Sequence, residues 1–194
     1  VQLRGTMIKR TKTAGGALVF WLTLTTFWPA HAAEDFKVKL LLPSIQLPPG
    51  FSIDVYADAV PGARSMALSP SGVLFVGTRQ TGNVYAVIDT DGDRRAERVF
   101  TLARGLDTPN GVALRDGDLY VAEVHRILRY AQIESRLGAT VTPEVIYDGF
   151  PRDRHHGWKF IRFGPDGRLY VSVGAPCNVC LRDDPVYASI SRMN

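Results

Sequence analysis

Three stretches of the chain repeat one pattern, and this repeat constrains the fold more than any other feature. Each unit has a short apolar strand, a glycine turn, a second strand and then a third. The first unit reads as strands at 65–68, 73–76 and 83–87 around a Pro70-Ser71-Gly72 turn. The second has strands at 111–114, 118–122 and 126–130 around Asp116-Gly117, and the third has 160–163, 168–173 and 188–193 around Pro165-Asp166-Gly167. Turn glycines Gly72, Gly117 and Gly167 stand 45 and 50 residues apart. A further strand precedes each unit, at 51–56, 98–102 and 144–147, so each unit holds about four short strands. Val, Ile, Leu, Tyr and Phe dominate these runs, and convincing amphipathic helices are scarce; 131–137 has room for one or two turns. Four strands every 45–50 residues is the period of a β-propeller blade. The expected fold is therefore all-β, a β-propeller with about three blades in this chain. A sandwich would have similar strands without the repeat.

The N-terminus reads as a targeting segment. Met7 is followed by Lys9, Arg10 and Lys12, then by an apolar run at 14–28 and the small-residue site Ala30-His31-Ala32. This order is that of a secretory signal, and the apolar run is short beside the roughly 20 residues a membrane span needs. The expected organisation is a signal peptide at 1–33, an extended lead-in at 34–49 and a partial propeller at 50–194. Residues 1–6 lie upstream of the expected start. The mature product is expected to be periplasmic or secreted, with no stable membrane anchor after cleavage. The chain has 23 basic and 19 acidic residues, and all four of the excess basic residues (Arg4, Lys9, Arg10, Lys12) fall in the leader. The exported part is formally neutral, which argues against nucleic acid as a partner.

In a propeller, ligands bind where the innermost strands begin. Counting back four positions from Leu68, Leu114 and Phe163 gives Arg64, Asn110 and Lys159 as equivalent positions around that mouth. Only the third unit adds a histidine pair, His155 and His156. A neutral imidazole there can accept a proton from a substrate hydroxyl; the alternative is a histidine that caps a strand or bonds a backbone carbonyl. Cys177 and Cys180 form a CxxC loop, for which a disulfide, free thiols and a metal site shared with the histidines all remain open. Asp89, Asp91 and Asp93 start like a calcium loop. Arg94 and Phe100, however, stand where such a loop needs Gly and a bidentate Glu, so an acidic turn is expected.

The run from His156 through Gly157, Ile161, Gly164-Pro165-Asp166, Leu169-Tyr170 and Gly174 resembles the soluble quinoprotein glucose dehydrogenases. It is similar in particular to their periplasmic sorbosone dehydrogenase-like branch, as are Leu47-Pro48-Pro49-Gly50-Phe51 and Asn110-Gly111-Val112-Ala113. The resemblance covers about residues 47–194. It implies a six-bladed propeller binding pyrroloquinoline quinone (PQQ) with calcium, a sugar or aldehyde substrate and an external electron acceptor. It also implies that His156 is the general base. Two departures stand out. His155 occupies the place of the family's acidic residue, with Asp153 the nearest substitute. The family's quinone-contacting glutamine has no match near Asn110. Its cofactor-clamping cations and calcium ligands fall largely in later blades, so the expectation is an N-terminal portion, inactive alone. The alternatives are a calcium-dependent lactonase-type propeller, with metal carboxylates at the mouth, and an NHL-like binding propeller.

Overall fold

The computed structural model describes residues 41–194. The expected signal segment and the first part of the lead-in lie outside the described residues. Among those described, no helix is long and apolar enough to cross a membrane.

Three antiparallel sheets follow one another along the chain. The first contains β1 (Ala63–Leu68), β2 (Leu74–Thr78), β3 (Val84–Ile88) and β4 (Arg98–Ala103). The second contains β5 (Gly111–Arg115), β6 (Asp118–Ala122), β7 (Ile127–Tyr130) and β8 (Glu144–Tyr147). The third contains β9 (Ile161–Phe163), β10 (Leu169–Val173) and β11 (Ser189–Met193). Each sheet is a meander in chain order. Innermost strands β1, β5 and β9 lie side by side, β1 against β5 and β5 against β9. This is the radial arrangement of propeller blades, and the expected all-β propeller with about three blades stands. The turn glycines Gly72, Gly117 and Gly167 have φ of 92°, 83° and 72°, the left-handed region that makes glycine the favoured residue at these turns.

Alternation along each strand builds the core. On β5, Val112 and Leu114 face the first sheet, while Ala113 faces the third. One core layer joins Phe75, Val84 and Ala86 to Leu119, Val121 and Tyr130. The next joins Ala122 and Ile127 to Ile161, Leu169 and Val171. The middle sheet is thus covered on both faces; its strands β5, β6 and β7 are largely buried, and its outer strand β8 is mostly exposed. A smaller cluster, Val76, Tyr85 and Val87, covers the far face of the first sheet with help from Tyr56, Ala57 and Val60.

Two expectations need correction. The runs at 98–102 and 144–147 do not open the following unit. β4 pairs with β3 and β8 with β7, so each is the outer strand of the preceding blade. The run at 51–56 forms no strand. It makes one bond to the first blade, from Ala96 N to Tyr56 O at 2.8 Å, and leaves Phe51 and Ile53 exposed. The segment at 131–137 forms a single 3-10 turn, Ile133–Arg136.

Candidate active site at the channel mouth

β1, β5 and β9 all begin at one end of the molecule, and Asn110 ties those beginnings together. Its side-chain amide donates to Ser65 Oγ at 3.1 Å and to the Lys159 carbonyl at 2.8 Å. Asn110 is buried and so serves as a seam between blades. Lys159 is buried too, with Nζ donating to Gly157 O at 3.2 Å and lying 5.1 Å from the Phe150 ring centroid. Burial pushes its ammonium down to about 8. Arg64 alone of the three equivalent positions is exposed. For Asn110 and Lys159, stepping back four residues stays on the strand face turned toward the preceding blade, which buries them; Arg64 lies in the irregularity of the β1–β2 register, where that alternation is broken.

The histidines sit just before β9 in a turn closed by Gly157 N donating to Arg154 O at 3.1 Å. His156 adopts φ 51° in this turn. Its Nδ1 lies 3.0 Å from Ala175 O. A carbonyl only accepts, so Nδ1 carries the proton and Nε2 of the neutral ring keeps its lone pair. Both histidines are exposed. Gly174 makes this placement possible, because a Cβ there would collide with the His156 carbonyl oxygen. His155 Nε2 bonds Asn178 Oδ1 at 3.2 Å, and the two imidazole centroids are 4.0 Å apart. Asn178 lies inside the loop closed by the Cys177–Cys180 disulfide. The cysteines therefore frame His155's partner and form no four-ligand metal group with the histidines.

Ion pairs and hydrogen bonds moor the loop that carries the histidines. Arg154 pairs with Asp107, whose backbone N–H donates to buried Glu123 at 2.5 Å; Arg126 pairs with the same carboxylate. Asp153 accepts from the Tyr187 hydroxyl at 2.6 Å, and this bond raises the Tyr187 phenol above its usual range. Asp153 is thus engaged with Tyr187, and its carboxylate forms no hydrogen bond or ion pair with His156.

Two groups at the mouth do not stand out in the repeat pattern: Trp158 and Arg79. The Arg64 guanidinium lies 5.7 Å from the Trp158 ring centroid, and that of Arg79 5.8 Å from it. Antiparallel pairing of Ala63 with Thr78 brings the two arginines together, and an irregularity in the β1–β2 register spans Arg64 and Ser65. Below the mouth a cavity of about 420 Å³ lies between the inner strands, lined by Met66, Leu68, Leu114, Phe160 and Arg162.

Asp89, Asp91, Asp93 and Glu97 bring carboxylate oxygens within 4.8 Å of one another. This is the donor set among the described residues that suits a hard cation, but it lies in the β3–β4 turn, at the opposite end from the histidines. Its carboxylates already hold the turn: Asp89 accepts from Gly92 N at 2.7 Å and from Arg94 N at 2.9 Å. The expected acidic turn describes it.

Residues 38–189 match the family model described as Domain of unknown function (DUF7133). The chain belongs to this family. Its fold is similar to the PQQ-bound aldose sugar dehydrogenase of Streptomyces coelicolor, with a TM-score of 0.56 and 23% identity over 73% of this chain and 47% of that one. It is also similar to the holo PQQ domain of Coprinopsis cinerea pyranose dehydrogenase, with a TM-score of 0.54 and 12% identity over 62% and 30%. An uncharacterized protein of Borreliella burgdorferi is 21% identical over 159 residues, 76% of this chain and 39% of that protein. The chain spans less than half the length of each. These likenesses establish a shared propeller fold with PQQ-dependent sugar dehydrogenases.

Proposed function

We propose that the chain supplies the N-terminal blades of an exported PQQ-dependent sugar dehydrogenase of the aldose or sorbosone type, with His156 as its general base. The observation that carries this reading is the His156 tautomer. Nδ1–H is committed to Ala175 O, which leaves Nε2 as an exposed acceptor at the mouth. The mouth residues fit an acidic planar group: Arg64 and Arg79 offer cations, and Trp158 offers a flat face. PQQ, when bound, would supply the two-electron acceptor for the substrate carbon. His156 Nε2 would take the proton of the substrate hydroxyl. His155, held by Asn178, walls the same opening, and Asn110 fixes the spacing of the inner strands around it. Calcium does not fit the mouth residues described, because Asp107 and Asp153 are engaged by Arg154 and Tyr187. For the same reason the lactonase-type alternative has less support.

The test is dye-linked oxidation of aldoses and aldehydes by the natural-length protein containing this chain, with added PQQ and calcium. Turnover is expected with at least one substrate. His156→Ala is expected to lower kcat by about 10²–10⁴-fold while PQQ binding persists. Absence of both turnover and quinone binding in the unsubstituted protein would overturn the proposal.

A further inference from the structure

The loop between β10 and β11 carries the Cys177–Cys180 disulfide beside the histidine turn. Within the described residues, 175–183 make no backbone–backbone hydrogen bond. Their side-chain hydrogen bonds there run to the two histidines alone: His156 Nδ1 donates to Ala175 O, and His155 Nε2 donates to Asn178 Oδ1. With no ladder to shape it, this stretch takes its form from the disulfide. Ala175 is joined to the closed loop through Pro176 only, and Asn178 lies inside it. A loop of four residues closes little chain entropy, so the bond adds little to the stability of the sheets and can open without unfolding them. Cys180 is exposed and Cys177 half-buried, while Val179 and Leu181 are 95% and 98% exposed. A cysteine this accessible offers its sulfur to an incoming thiolate.

We infer that Cys177 and Cys180 form a reversible thiol–disulfide exchange site that takes a dithiol as reductant, and that the oxidised pair fixes the orientation of both histidines. A thiolate of the dithiol attacks Sγ of Cys180; the Sγ–Sγ bond breaks, and Cys177 leaves as a thiolate and takes up a proton. The second thiol of the dithiol then loses its proton and attacks its partner sulfur in the mixed disulfide, releasing Cys180, which is protonated in turn. Two electrons and two protons pass to the cysteines, and the dithiol becomes a disulfide. Residues 177–180 lose the closure that presents Asn178 to His155 and steadies Ala175. The bonds an imidazole makes decide which nitrogen holds its proton, so His156 without a fixed acceptor populates both tautomers. The exchange site acts on the histidine assigned to proton transfer, but its chemistry involves neither quinone nor sugar, so the two readings stand or fall separately.

The test combines thiol counting with long-range proton–nitrogen NMR of the histidine rings in the 194-residue chain, at about pH 8, where an ordinary imidazole is neutral. Dithiothreitol is the probe. The untreated chain is expected to show no free thiol and a single Nδ1–H tautomer for His156. Dithiothreitol without denaturant is expected to expose two thiols and to give His156 a mixture of tautomers, and reoxidation to restore the single one. Cys177→Ser/Cys180→Ser is expected to match the reduced chain and to ignore dithiothreitol. His125, in the β6–β7 turn and outside the loop, is expected to keep its signal throughout and so to separate local release from unfolding. Full reduction that leaves the His156 tautomer unchanged would overturn the coupling. Free thiols in the untreated chain, or a disulfide that dithiothreitol opens only in denaturant, would overturn the exchange site. Loss of the His125 signal together with that of His156 would show unfolding and overturn the local device.

Discussion

His156 holds φ 51°, a left-handed conformation that costs an ordinary residue roughly 1–2 kcal/mol. The surrounding contacts enforce it: the Arg154–Gly157 turn on one side and the Ala175 carbonyl on the other. Strain of this kind at the residue assigned the chemistry is itself informative. Removing the side chain should separate the two roles. His156→Gly is expected to be more stable than His156→Ala by about 1 kcal/mol, measured by urea unfolding, while both lose turnover alike. Equal stability of the two would show that the backbone relaxes. Lys159 makes a second residue-scale prediction. It is 1% exposed, and burial lowers its ammonium from 10.5 to about 8. Below pH 8 folded and unfolded chains both hold the proton, and the burial cost is fully present. Between about 8 and 10.5 the unfolded chain holds more, so this group makes the fold more stable as pH rises, by about 3 kcal/mol in all. Lys159→Met should remove that rise; a stability difference between the two proteins that does not change with pH would contradict the assignment.

At the scale of elements, the seam between blades rests on Asn110. One side chain satisfies Ser65 and the Lys159 carbonyl, so Asn110→Ala strands a buried acceptor and is expected to cost about 1–3 kcal/mol. Asn110→Asp should be as costly, because the replaced amide donates both bonds; a neutral effect from either variant would deny the seam. The blade strands themselves were legible in the sequence, since alternation and the turn glycines mark them locally. Which sheet owns an outer strand was not. β4 follows β3 through the acidic turn and pairs backward with it, whereas spacing alone allows it to be counted with β5. The site was legible in the same partial way. His156 stands out as an unrepeated residue on a repeated scaffold. Arg79 does not, because it follows a second strand and reaches Trp158 only through the β1–β2 register. The side-chain direction of Lys159 was readable in principle, as it shares a strand face with buried Ile161.

At the scale of the molecule, three sheets in a row make stability uneven. The middle sheet packs on both faces, whereas β1 and β11 carry alternating exposed positions, with Met66, Leu68 and Ile190 at 61%, 66% and 73% exposure. Local opening follows burial, so amides of the middle sheet should open only with global unfolding, while outer sheets open at lower free energy. Hydrogen exchange on the 194-residue chain is expected to protect β6 and β7 most and β1 and β11 least. Leu119→Ala, in a side chain with no exposure, should cost about 2–5 kcal/mol and lower protection across both neighbouring sheets, because each leans on the middle one. The same gradient bears on function. The mouth draws its histidines from the third sheet and its arginines from the first, and both are held in place through Asn110 on the middle sheet. A ligand bridging Arg64 or Arg79 to Trp158 would therefore tie the two outer sheets together. Protection of β1 and β9 should rise when such a ligand is bound, and β6 should change little because it already exchanges through global unfolding. Ligand-induced protection confined to β10 and β11 would place the ligand away from the arginines.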